Sequence, residues 1–152
     1  VVCSDSTFTI NLGGSIDRMD EKDGILRIVD YKTGTTIQEA RDMEQLFDCT
    51  AEHRPYHVFQ TFLYATLLSE QHPHKPITPA LFYIQKAASA DYSPTVKLGK
   101  QPVSDFTPLR GDFTPMLDKL LTEVFSPTAR FTQTTVTRHC QFCEYAHICG
   151  RK

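Results

Sequence analysis

The chain has 152 residues, 40% hydrophobic and 22% charged, with a net charge of −2. That size predicts one domain, residues 1–152, able to bury a real core. No apolar run approaches the ~18 residues of a membrane span, and the charge argues against a generally basic nucleic-acid binder while allowing a local basic patch.

The N-terminus VVCSDSTFTI has neither a basic leader nor a long apolar stretch, so no signal peptide is expected. It also lacks an initiator Met, which reads as a piece of a longer protein. Five cysteines, three of them between residues 140 and 149, point to metal ligation in a reducing, cytoplasmic setting rather than to a disulfide framework.

In chain order, residues 7–19 alternate enough for a strand, and residues 21–24 (EKDG) predict a four-residue hairpin turn with Gly24 free to take positive φ. Residues 25–32 (ILRIVDYK) form the partner strand, broken by the TGTT run that follows. Residues 37–47 have helical spacing with weak amphipathicity. Pro55 opens a helix from Tyr56 to about Gln71, its apolar positions Val58, Phe59, Phe62, Leu63, Leu67 and Leu68 recurring at three- and four-residue intervals. Pro73 and Pro76 end it. Residues 78–85 (TPALFYIQ) predict a short buried strand, and residues 87–108, rich in Ser, Pro and Gly, a mobile surface loop. Residues 113–125 predict a second amphipathic helix, and residues 137–152 form a cysteine-rich tail. No internal repeat or low-complexity segment is present. The fold class predicted is α/β, a mixed central sheet flanked by helices with the acidic hairpin at its heart.

That hairpin carries the chemistry. Side chains on one strand face repeat every two residues, so Asp30 and Lys32 point the same way. With a four-residue turn, Asp17 lies opposite Ile28, on the same face and diagonal to Asp30. Two carboxylates and an ammonium then converge. Neighbouring carboxylates repel unless a cation sits between them, and hard divalent ions take such oxygens. A lysine beside them stabilises charge developing on a phosphate. The bland alternative makes Asp17–Arg18 and Asp30–Lys32 surface ion pairs on an edge hairpin.

The runs GSIDRMD, LRIVDYKTG and FQTFLYATLL, in that order, resemble the PD-(D/E)XK nuclease superfamily, within it the RecB-like branch also found in AddAB-type helicase–nucleases. The resemblance spans residues 7–149 and implies a restriction-endonuclease-like core. It implies that Asp17 and Asp30 bind Mg²⁺ or Mn²⁺, that Lys32 assists the attacking water, and that Gln60 and Tyr64 reach the site from the helix. Those two lie one helical turn apart, which suits that role, although a Tyr on a helix's apolar side is ordinarily core. Family members carry a further metal-binding residue, commonly His or Glu, on a helix ahead of the first strand. Nothing here precedes Val1, so the chain is expected to represent the later part of the domain and to show little or no activity alone.

Cys140, Cys143 and Cys149 have spacings that suit an iron–sulfur cluster or Zn²⁺, with His139 or His147 available as a fourth zinc ligand; unliganded thiols are the third possibility. The tail also resembles the last three cysteines of the [4Fe–4S] staple of AddB-like nucleases, whose fourth cysteine lies well upstream. The three should lie close together without forming a complete cluster here. Cys3 and Cys49 are expected to be incidental or small buried residues.

The function expected is metal-dependent, exonuclease-type hydrolysis of DNA phosphodiester bonds, as the nuclease module of a helicase-linked repair or recombination system, with DNA and a helicase domain or subunit as partners and no membrane. The alternatives are a non-catalytic DNA-binding or scaffold remnant of the same fold, and a small zinc-binding interaction module. No serine, cysteine or histidine nucleophile motif and no glycine-rich phosphate loop is present.

Overall fold

The computed structural model describes residues 9–151 and the backbone of residues 2–3 and 6–7. Two short strands, β1 (Val2–Cys3) and β2 (Ser6–Thr7), pair antiparallel. Residues 9–17 then run without regular structure to β3 (Arg18–Lys22), so the strand predicted over residues 7–19 forms only at its two ends. The cause of the break is partly visible at Gly14. A Cβ there would lie 2.6 Å from the Tyr64 hydroxyl oxygen, so the chain passes too close to that ring for any side chain.

β3 pairs antiparallel with β4 (Ile25–Lys32), Lys22 facing Ile25 and Arg18 facing Val29. The loop is therefore two residues, Asp23–Gly24, not four. Both have positive φ, 54° and 78°, the signature of a type I′ turn whose twist matches that of the strands.

After α1 (Met43–Phe47) and α2 (Tyr56–Gln71), β5 (Ile77–Tyr83) returns parallel to β4, giving the order β3–β4–β5. The sheet is mixed, as predicted, with β4 at its centre. Only residues 43–47 of the predicted 37–47 helix form, begun by the Asp42 side chain accepting from the Gln45 amide. α2 has the predicted bounds. Its buried face is broader than the apolar pattern implied, because Thr61, Thr66 and Ser69 turn their hydroxyls back onto the Val58, Phe62 and Ala65 carbonyls. β5 ends at Tyr83 rather than at Gln85, giving way to a 3₁₀ turn over Ile84–Lys86.

The region expected to be a mobile loop is built into the domain. Residues 94–96 run along the free edge of β5, with the Leu81 amide donating to the Pro94 carbonyl and the Val96 amide to the Pro79 carbonyl. The hairpin of β6 (Lys97–Leu98) and β7 (Gln101–Pro102) follows, and Val96, Val103 and Phe106 are buried. Their apolar side chains, sparse among Ser, Pro and Gly, supply the packing that composition hides. α3 (Arg110–Val124) starts three residues earlier than predicted and ends one earlier. It docks through Phe113, whose ring meets those of Phe47, Phe59, Phe62 and Phe106 at centroid distances from 5.2 to 6.0 Å. No helix among the described residues is long and apolar enough to cross a membrane.

Candidate active site

β4 explains the placement of Asp30. Leu26, Ile28 and Asp30 alternate towards α2, so the carboxylate takes the position where the strand would otherwise put a third core side chain. It is 8% exposed. Lys32 is next on the same face, its ammonium 2.6 Å from Asp30 Oδ2. Both side chains are largely buried, so this is not the surface pair of the bland alternative; Arg18 pairs instead with Asp20, which Arg27 holds in a two-bond contact. Arg27, and less strongly Arg18, keep the Asp20 carboxyl below its ordinary range.

The site then extends across to α2. Lys32 Nζ donates to Gln60 Oε1 at 3.3 Å, and Gln60 Nε2 donates to the Tyr64 hydroxyl at 3.2 Å. That hydroxyl lies under Gly14, which carries the contacts back to the segment leading into Asp17. Asp17 itself lies just before β3. Continuing the register by one residue sets it across from Asp30, where the expected register had it across from Ile28. Its carboxylate accepts from the Tyr31 amide at 2.8 Å, one residue beyond Asp30. Of the five residues singled out in the sequence, four are linked by side-chain contacts, and Asp17 joins them through the backbone of β4.

Asp17 and Asp30 suit a hard divalent cation. Asp30 Oδ2 is buried and paired with the Lys32 ammonium, and Asp17 offers an exposed carboxylate across the hairpin. Among the described residues no three His, Cys, Asp or Glu side chains are grouped to hold a metal. Water and a substrate phosphate would therefore have to complete the shell, as is usual for Mg²⁺.

Cys140 and Cys143 are half-buried and Cys149 is exposed, all three as free thiols, and they are not gathered into a metal site. The tail closes by backbone turns, Cys143 N–H onto Cys140 C=O and Cys149 N–H onto Tyr145 C=O, and the Ala146 methyl between them is buried. His139 Nε2 is engaged with the Glu52 carbonyl. Cys49 is free and exposed, the incidental rather than the buried alternative, and the Cys3 side chain lies outside the described residues. A groove of about 730 Å³ opens at the α1–α2 connection between Cys49, Glu52, His53, Tyr56 and His139, beside this site rather than in it.

His57 was missed in the sequence. It lies three residues before Gln60 on the same face of α2, a spacing that could have found it. Burial, then the Lys32 ammonium, push its pKa down, with Asp30 opposing. Its Nδ1 is buried without a hydrogen-bond partner.

The family model of the PD-(D/E)XK nuclease superfamily matches residues 2–150. No curated protein and no solved structure matches the chain.

Proposed function

Because the chain belongs to the PD-(D/E)XK nuclease superfamily, whose members typically hydrolyse phosphodiester bonds with the help of a metal, we propose that it is a Mg²⁺- or Mn²⁺-dependent deoxyribonuclease module acting through Asp17, Asp30, Lys32, Gln60 and Tyr64. The observation that carries this reading is the buried Asp30–Lys32 pair, 2.6 Å apart and tied to Gln60 of α2. A structural ion pair needs neither the link from Lys32 to Gln60 nor an opposing carboxylate. A catalytic one uses both.

A divalent cation held by Asp17 and Asp30 would supply Lewis-acid polarisation of the phosphate and a more acidic water. Lys32 then presents its ammonium where negative charge builds on the phosphate oxygens, in a partly dehydrated position where that charge counts for more than in water. Gln60 holds Lys32 by accepting a hydrogen bond from one of its three N–H groups and Asp30 faces another, leaving the third for substrate. Tyr64 fixes the Gln60 amide by accepting from it, so the orientation of Lys32 depends on two residues of α2 that need not touch DNA.

The RecB/AddB-like assignment, exonuclease-type cleavage, the helicase partner and the repair or recombination role extend this reading. Their support is the order and spacing of the three runs around Asp17, Asp30 and Gln60. Cluster ligation by Cys140, Cys143 and Cys149 would need further ligands from that larger assembly.

The test is cleavage of a labelled oligonucleotide by the protein in its full natural chain. Cleavage with Mg²⁺ or Mn²⁺ that EDTA stops is the expected result. Metal-independent cleavage, or none with either ion, would refute the assignment.

A further inference from the structure

The groove of about 730 Å³ at the α1–α2 connection has no part in the chemistry assigned to Asp17, Asp30 and Lys32. It nevertheless opens from the same end of the sheet. Lys32 closes β4 and lies across from Tyr83 in the parallel register, and the hydroxyl of buried Tyr83 accepts from the Gln38 amide at 2.9 Å. Gln38 Oε1 accepts in turn from the His57 amide at 2.9 Å. Residues 36–39, which follow Lys32 in the chain and line the groove, are thereby pinned both to the sheet and to α2.

The start of α2 supplies another wall, Arg54, Pro55 and Tyr56, which is fixed before anything binds. Pro55 is buried and restricts the backbone entering the helix. The Arg54 guanidinium lies over the Phe59 ring, 5.8 Å from its centroid. Tyr56 is 56% exposed, and its ring meets His57 edge-on at 4.2 Å between centroids, its only ring contact among the described residues. A tyrosine has few torsions to lose and a large flat face to offer, so a fixed, uncovered one is a ready stacking platform. Charge along the groove is balanced. Glu39 pairs with Lys97 at 3.0 Å and Glu52 with Arg138 at 2.8 Å, which leaves one carboxylate, Asp48, and one guanidinium, Arg54, on the lining. Such a wall does not repel a phosphodiester chain, and it binds one chiefly through stacking.

We infer that this groove seats a single DNA strand running on from the phosphate at Lys32, with one base stacked on Tyr56 and Arg54 beside the adjoining phosphate. This rests on the nuclease reading. The occupant is a single strand because a duplex base keeps both faces against its neighbours and has none free for a ring.

The experiment measures binding of a labelled single-stranded oligonucleotide, and of a blunt duplex of the same sequence, to the full natural chain in Ca²⁺. Tyr56→Ala should weaken single-strand binding about tenfold, as for loss of one base–aromatic stack. Tyr56→Phe and Tyr56→Trp should stay within about threefold of wild type, because the ring and not the hydroxyl is used. Duplex binding should be unchanged in all three. A 2-aminopurine base moved along the strand should be quenched at one position in wild type and recover in Tyr56→Ala, a signature that a packing role for Tyr56 would not give. Arg54→Ala should reduce the slope of log affinity against log salt by about 0.7, one phosphate contact on a single strand. Should Tyr56→Ala fail to fold, Tyr56→Leu, which keeps apolar volume without a flat face, decides in its place. Unaltered single-strand binding in Tyr56→Ala, or an equal loss on the duplex, would overturn the inference and give the groove to another occupant. Mn²⁺-dependent cleavage by wild type beside that unaltered binding removes the strand from the groove and leaves the nuclease reading standing. Tyr56-dependent binding without cleavage in Mg²⁺ or Mn²⁺ removes the nuclease reading and keeps the strand where it is placed here.

Discussion

The carboxylate hairpin with α2 and the cysteine tail were the two chemistry-bearing regions of the sequence, and they are held in opposite ways. Asp30 and Lys32 continue the face of β4 that buries Leu26 and Ile28, side chains removed from water almost completely. In residues 127–151 only Ala146 is fully buried, while Phe142 and Ile148 are 88% and 84% exposed. The tail is fastened at the surface, where Arg138 reaches Glu52 Oε1 at 2.8 Å and His53 Nε2 at 3.0 Å. The contrast teaches where a charged group can be made functional. A carboxylate on a packed strand is positioned by the core beneath it, whereas thiols in a chain of turns take whatever spacing the turns leave them.

That contrast can be broken most forcefully by activity. Lys32→Ala should lower the cleavage rate by about 10²–10³-fold, in the range for loss of one transition-state donor. Arg138→Ala, an equal loss of positive charge in the tail, should leave the rate within about a factor of three, as expected for a charge that touches no substrate. Comparable losses in steady-state kinetics would contradict the division.

Stability sharpens the same comparison. Phe62→Ala removes a fully buried ring that meets Phe106 and Phe113, and urea denaturation should show a loss of about 3–5 kcal/mol. Phe142→Ala should fall within about 0.5 kcal/mol of wild type, like other exposed positions. A large effect at Phe142 would mean the tail covers more than its exposure indicates.

A smaller effect is expected at Gly14. An alanine Cβ would lie 2.6 Å from the Tyr64 hydroxyl oxygen, so Tyr64 must shift and release Gln60. Gly14→Ala should cost about 1–3 kcal/mol, as overpacking does, and lower kcat through the loosened Lys32. Full activity would uncouple Tyr64 from the site.

The weakest effect is pH-dependent and confined to the tail. The Arg138 guanidinium holds the Glu52 carboxyl below its ordinary value near 4.5. A depressed carboxylate pKa contributes stability that is present above the unfolded value and fades as pH falls through the folded one. Hydrogen exchange of the amides at residues 139 and 141 should therefore quicken on acidification below about 4.5, ahead of those in β4. Simultaneous loss of protection in both regions would deny the tail its separate, looser attachment.

Much of the central architecture was legible because its signals are local and strong. Pro55 and the spacing from Val58 to Leu68 define α2, and the apolar run around Asp30 defines β4. The hairpin register was misjudged by taking residues 21–24 as the loop, although Asp-Gly is itself a two-residue turn signal. The approach to Asp17 depends on Tyr64, some fifty residues away, and no local pattern reveals such a contact. Likewise Val96, Val103 and Phe106 are core only because β5 offers an unpaired edge. Within the site, strand periodicity groups Asp30 with Lys32, whereas Gln60 and Tyr64 were joined to them only by the family resemblance, with which their helical spacing agrees. His57 shares that periodicity but, lacking a partner in the motif, went unnoticed.

The central claim is that Asp17 and Asp30 together form one cation site. Mn²⁺ titration followed by electron paramagnetic resonance tests it without requiring turnover. Wild type should bind one or two equivalents, Asp17→Asn and Asp30→Asn should each lose that binding, and a cysteine variant such as Cys143→Ser should retain it. Unchanged Mn²⁺ binding in Asp30→Asn would contradict the account.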